Sequence, residues 1–113
     1  MKKVSILVPE SSVMQAIADP QYLFTAVNNF LVAAGKRPLF DVELVGVKKE
    51  VKINNGMFSV HTHRQLKDIK KTDVVFIPAL FGDMRTAVEK NKQAVPWITE
   101  QYKKGADVAS LCV

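Results

Sequence analysis

A single cysteine, Cys112, stands among 113 residues. That excludes an intrachain disulfide and any zinc site built from several thiolates. No apolar run approaches the roughly 18 residues that span a bilayer. Val4–Val8 follows a basic Met-Lys-Lys start, but it is too short for the apolar region of a secretory signal, so a cytoplasmic location without membrane association is expected. Five Gly and five Pro show no period, which excludes a collagen-like or low-complexity chain. There is no internal repeat and no linker. With 48% hydrophobic and 24% charged residues, the composition is that of one folded domain and not of a disordered tail.

Acidic residues are the scarcer sign: 11 Asp+Glu against 16 Lys+Arg, a net charge of +5. Position decides what the excess means. Lys36 and Arg37, Lys90 and Lys92, and Lys103 and Lys104 fall where helices are expected to end, and cations there complement the helix dipole. Lys48, Lys49 and Lys52 surround a strand exit. No helix carries a basic stripe, and aromatic residues are not interleaved with the charges. The pattern reads as solvated faces and helix ends, not as a nucleic-acid patch.

Val4-Ser5-Ile6-Leu7-Val8, ended by Pro9, reads as a strand buried on both faces. Ser11–Ala18 reads as a loop. Asp19-Pro20 combines a capping residue with proline at a first helical position, so a helix is expected from Pro20 to Gly35. Leu23, Ala26, Val27, Phe30, Leu31 and Ala34 would form its buried stripe. Gly35 would close the helix, and Pro38 would prevent its resumption. Phe40–Val47 reads as a second strand. Asn54-Asn55-Gly56 between Val51-Lys52-Ile53 and Met57–Val60 reads as a hairpin turn. Arg64–Ile69 is expected to be a short helix and Asp73–Ile77 a strand stopped by Pro78. A helical stripe follows through Met84, Ala87, Val88, Val95, Ile98 and Tyr102, broken near Asn91–Pro96 and ended by Gly105. Ala106–Cys112 is expected to be the last strand.

Strands alternating with helices predict an α/β fold: a doubly wound, mostly parallel sheet in a flavodoxin-like three-layer sandwich, with a small β-hairpin. Ligands in such sheets sit at the carboxyl ends of the strands. That selects Glu10 and Ser11, then Pro78, Ala79, Leu80, Phe81 and Gly82, and Cys112. A parallel strand at the very end of the chain would leave one sheet face uncovered. The chain is therefore expected to be the N-terminal portion of a larger domain, or to need a partner.

Cys112 is the sharpest chemical candidate. A thiol at the carboxyl end of a parallel strand, followed by a helix, forms a nucleophile elbow whose helix dipole lowers the thiol pKa. The competing reading is an inert, buried thiol. Glu10 lies at the edge where it would approach Cys112, or it is a solvated loop charge. Pro78–Asp83 offers backbone amides for an oxyanion; equally, Leu80 and Phe81 would make an apolar wall for a ligand or a subunit. His61 and His63 share a spacing of two but lack a placed third ligand beyond Asp68, so they are read as surface histidines and no metal is expected.

These pieces in this order resemble a ThiJ/PfpI-type domain of the class I glutamine amidotransferase-like superfamily, and more specifically the N-terminal domain of AraC-family transcriptional regulators that carry one. The resemblance rests on Val4–Val8, the helix ending at Gly35, Phe40–Val45, the Asn-Asn-Gly hairpin, Asp73–Pro78 and, most specifically, Lys104-Gly-Ala-Asp-Val-Ala-Ser-Leu-Cys112. It implies that residues 1–113 are a partial domain ending at the elbow strand, with Cys112 as the elbow cysteine and Pro78 opening the turn that faces it. Ala79-Leu80 stands where the family has Gly-Gly, and Val113 where hydrolytic members often have histidine. These departures point from enzyme toward sensor. The resemblance then implies a domain of an AraC-type regulator that binds a small-molecule effector and forms a homodimer, without turnover and without a cofactor. DNA would be read only by a C-terminal helix-turn-helix part that is not in this chain. The alternatives are a ThiJ/PfpI cysteine hydrolase using Cys112 as nucleophile, and a doubly wound binding module with an inert thiol.

Overall fold

Val4, Ile6 and Val8 point to one side of the first strand and Leu7 to the other, and all four are buried. In the computed structural model, which describes residues 1–111, β1 (Lys2–Leu7) is the middle strand of a five-stranded sheet. It pairs with β2 (Phe40–Gly46) on one side and β6 (Val74–Ile77) on the other. Short β5 (Arg64–Gln65) extends the sheet beyond β2, and β7 (Asp107–Ser110) beyond β6. All four pairings are parallel, in the order β5-β2-β1-β6-β7. The antiparallel hairpin of β3 (Glu50–Ile53) and β4 (Phe58–His61) forms separately. Its turn residues Asn54, Asn55 and Gly56 have φ of 53°, 54° and 80°, left-handed values that Asn and Gly bear at least cost.

Each face of the sheet has its own core. On one side α1 (Met14–Ala33) and the hairpin bring Ile17, Val51, Ile53 and Val60 onto Val4, Ile6 and Val8. Phe24 of α1 lies edge-on to Phe40 at 4.7 Å and tilted against Phe76 at 5.5 Å between ring centres. On the other side α3 (Ala94–Lys103) places Ala94 and Trp97 on Leu7, Val45 and Val75. The result is the three-layer α/β sandwich the sequence pattern predicts. Polar groups that cross the layers are paired. Thr72 N–H donates to Gln101 Oε1 at 3.0 Å, and the Ser5 and Thr72 hydroxyls share a hydrogen bond of 2.8 Å. The carboxamide of Asn28 donates to Phe40 O and accepts from the amides of Leu39 and Phe40, which fixes the start of β2 on α1. No helix among the described residues is long and apolar enough to cross a membrane.

Four expectations need correction. The first helix starts at Met14, not at Pro20, so Asp19-Pro20 lies within it. Proline there removes the bond that would reach the carbonyl of Ala16, but its ring is buried, and the packing of Ile17 and Pro20 outweighs the local signal. Second, the face that packs carries Ile17, Pro20 and Phe24; Leu23, Val27 and Phe30 of the expected stripe are 64%, 39% and 75% exposed. Phe24 and Asn28 set the rotation, because Phe40 and Phe76 receive the one and the β2 start the other. Third, Arg64–Ile69 is a bridge strand followed by a 3₁₀ turn (Leu66–Asp68), not a helix. Arg64 is held extended beside β2 by a bidentate pair with Glu43, at 2.9 and 2.5 Å, and this pairing raises its pKa above the ordinary arginine value. Fourth, Met84, Val88, Val95 and Tyr102 of the second expected stripe are exposed; the buried positions of α2 (Met84–Lys90) and α3 are Ala87, Ala94, Trp97 and Gln101. The two cores centre on β1, β2 and β6; β7 is the outer strand of the sheet among the described residues, with Asp107, Val108 and Ser110 exposed.

Candidate ligand-binding site

The chain leaves β1 toward β2 on one side and reaches β6 on the other, so the order of the sheet reverses at β1. Loops that diverge at such a point leave a crevice beyond the carboxyl ends of the strands. Here those loops are Val8–Val13 and Pro78–Asp83. They are stitched together: Val13 N–H donates to Ala79 O at 2.9 Å, and Phe81 N–H donates to Ser11 O at 2.7 Å, with Ser12 opposite Leu80. Ser11 takes φ of 66° to make this approach, and the Ser12 hydroxyl donates to Pro9 O.

A cleft of about 540 Å³ opens beside this stitch. Ser11, Phe81 and Gly82 line it, joined by the first turn of α1 through Met14 and Gln15 and by the hairpin tip through Asn54, Asn55 and Phe58. Its floor is completed by α2 (Met84–Lys90), through Thr86, Ala87 and Lys90. Asp83 caps that helix: its carboxylate accepts from the Thr86 hydroxyl at 2.6 Å and from the Thr86 amide at 3.0 Å. These two bonds, the hydroxyl's first, lower the Asp83 pKa below the ordinary carboxylate value.

The expected site residues divide among three places. Ser11, Phe81 and Gly82 face the cleft. Pro78 and Ala79 are buried behind it and Leu80 is half-buried. Since the Phe81 amide is spent on Ser11 O, that amide is not free for an oxyanion. Glu10 lines a separate, smaller pocket of about 180 Å³, with Lys48, Lys90 and Asn91. Its carboxylate is 3.5 Å from Lys48 Nζ, an exposed pair that contributes little. Cys112 lies outside the described residues. His63 Nδ1 accepts from the Leu44 amide at 2.9 Å, and His61 is exposed. Among the described residues no group of three or more His, Cys, Asp or Glu is placed to hold a metal.

Sequence reasoning missed two contributors. The hairpin tip was legible as a turn but not as a wall of the cleft, because its place depends on tertiary packing. Asn91, read only as a helix break, accepts from the Glu10 amide at 2.8 Å and donates to Glu10 O and Ala87 O, locking the β1 loop to the end of α2.

No protein-family model matches the sequence, and no curated protein matches it in a sequence search. Solved structures do. A protein from Vibrio parahaemolyticus assigned as a transcriptional regulator superposes with a TM-score of 0.76 at 21% identity, over 96% of this chain and 55% of its own. The fold is that of the ThiJ/PfpI and DJ-1 proteins. A ThiJ/PfpI family protein from Pseudomonas syringae shares this ThiJ/PfpI-type fold with a TM-score of 0.73 at 12% identity, over 98% of this chain and 42% of its own. An AraC family transcriptional regulator from Pseudomonas putida does so with 0.69 at 12%, over 97% and 55%. This chain spans about half the length of these ThiJ/PfpI-type structures.

Proposed function

We propose that this chain is the ligand-sensing and dimerising part of an AraC-type transcriptional regulator, binding a small-molecule effector without turnover. The observation that carries the reading is the continuity between cleft and helix. Met14 and Gln15, at the start of α1, line the cleft, and the same helix carries Leu23, Val27 and Phe30 on its exposed side. Spaced by four and three residues, these three form one face. Asp19 is the sole charge on this 20-residue helix of a chain with net charge +5. Two copies meeting through this face avoid the repulsion that their lysine-rich surfaces would impose. A ligand in the cleft therefore touches the element through which two copies would pair, which is the coupling a sensor needs. Fold neighbours assigned as regulators support the reading, as do Ala79-Leu80 and Val113 in place of Gly-Gly and histidine. DNA contact would belong to a separate helix-turn-helix part.

Sedimentation velocity tests the pairing. The wild-type chain is expected to sediment as a dimer at tens of micromolar, a concentration at which a Kd of about 1 μM is saturated, and Phe30→Glu as a monomer with an unchanged circular dichroism spectrum. A wild-type monomer, or a Phe30→Glu dimer, would count against it. Hydrolysis of small amides that is abolished by Cys112→Ala would replace the sensor with a cysteine hydrolase.

A further inference from the structure

We infer that the cleft takes a small uncharged ligand combining a flat apolar ring with an amide- or carbonyl-type group; this rests on the ligand-sensing reading above and narrows it to a chemical class. Two aromatic rings from separate elements flank the opening. Phe58 at the start of β4 is 45% exposed and Phe81 in the β6–α2 loop 66% exposed. Rings left this open are apolar area still available for burial, and stacked or edge-on ring pairs add to what area alone contributes.

The polar part of the wall is mainly uncharged. Gln15, Asn54 and Asn55 line the cleft and are exposed. Each carboxamide offers both a donor and an acceptor. Elsewhere the carboxamides of Asn28 and Asn91 are engaged by the protein's own backbone. Asp83 and Lys90 are the cleft's charged residues among those described. They cancel formally, and the Asp83 carboxylate is already held by two donors from Thr86. A cation would meet only the engaged Asp83 carboxylate, and an anion only the exposed Lys90, a solvated pairing that contributes little. A charged ligand thus gives up hydration for a weak return, whereas an uncharged one meets matched donors and acceptors. The volume of about 540 Å³ suits a ligand of small-metabolite size.

Benzamide, benzoate and benzylammonium share a ring and differ in charge. Titrating each into the ¹⁵N-labelled chain separates the possibilities. Benzamide is expected to shift the amides of Ser11–Gln15, Asn54–Phe58 and Phe81–Thr86, and to bind several-fold tighter than either ion. Phe81→Ala and Phe58→Ala are each expected to weaken it by roughly threefold to tenfold, the loss of one ring contact. Preference for benzoate or benzylammonium at these amides would overturn the ligand class and leave the sensing reading standing. Absence of shifts with all three would overturn the proposal, while sedimentation of the same samples reports on the regulatory reading independently.

Discussion

Trp97→Ala is expected to lower the folding free energy by about 3–5 kcal/mol, the range for removing a buried aromatic ring from a core. Trp97 is 8% exposed and packs with Leu7, Val45 and Val75 across the sheet face opposite α1. Its indole N–H also donates to Ile69 O at 3.1 Å, holding the segment that leads into β6. The substitution removes both the ring and that donor. Domains of this size are stable by only about 5–15 kcal/mol, so the variant is expected to unfold at a much lower urea concentration with an unchanged slope. Trp97→Phe keeps most of the packing and is expected to lose only about 1–2 kcal/mol. A loss below about 1 kcal/mol in Trp97→Ala would mean that α3 is not the cover of this face.

Gln101→Leu is expected to cost about 1–3 kcal/mol even though the replacement is apolar and similar in size, the penalty for a buried donor left unpaired. Gln101 is wholly buried. Its Oε1 is the acceptor for the Thr72 amide, while its Nε2 donates to Lys70 O at 3.1 Å. Lys70 O keeps a second partner in Lys104 Nζ; the Thr72 amide loses its acceptor. Through the Thr72 hydroxyl, which bonds Ser5 and Lys3 O, the disturbance reaches β1. Slowed hydrogen exchange at Thr72 in the wild type, lost in the variant, identifies the group responsible. A variant as stable as the wild type would show that this network is not what pins α3 to β6.

The strands were legible because Val4–Val8 and Val74–Ile77 are short, rich in β-branched residues and each followed at once by proline, which favours a covered strand over a helix. The hairpin was legible because Asn54-Asn55-Gly56 suits positive φ. The first helix was misread where local and tertiary signals disagree. Asp19-Pro20 is a strong start by itself, yet Ile17 three residues earlier is fully buried and needs the helix beneath it. The stripe was misread by one position: Phe24 rather than Leu23 meets Phe40 and Phe76, about 100° around the helix. At the candidate site, the rule for parallel sheets pointed to the edge that carries the cleft, and Ser11, Phe81 and Gly82 are found lining it. Glu10 lines a different pocket because Asn91 holds its backbone there, a contact spanning 81 residues that no local pattern encodes.

The hairpin tip and the loops after β1 and β6 enclose one cleft. A nitroxide on the tip, attached to Asn55→Cys in a Cys112→Ser background, tests this by paramagnetic broadening of backbone amides. Outside the hairpin, the strongest broadening is expected at Ser11–Gln15 and Phe81–Thr86, with Lys36–Leu39 at the opposite edge unaffected. Sharp signals from both loops, with broadening confined to the hairpin itself, would contradict it.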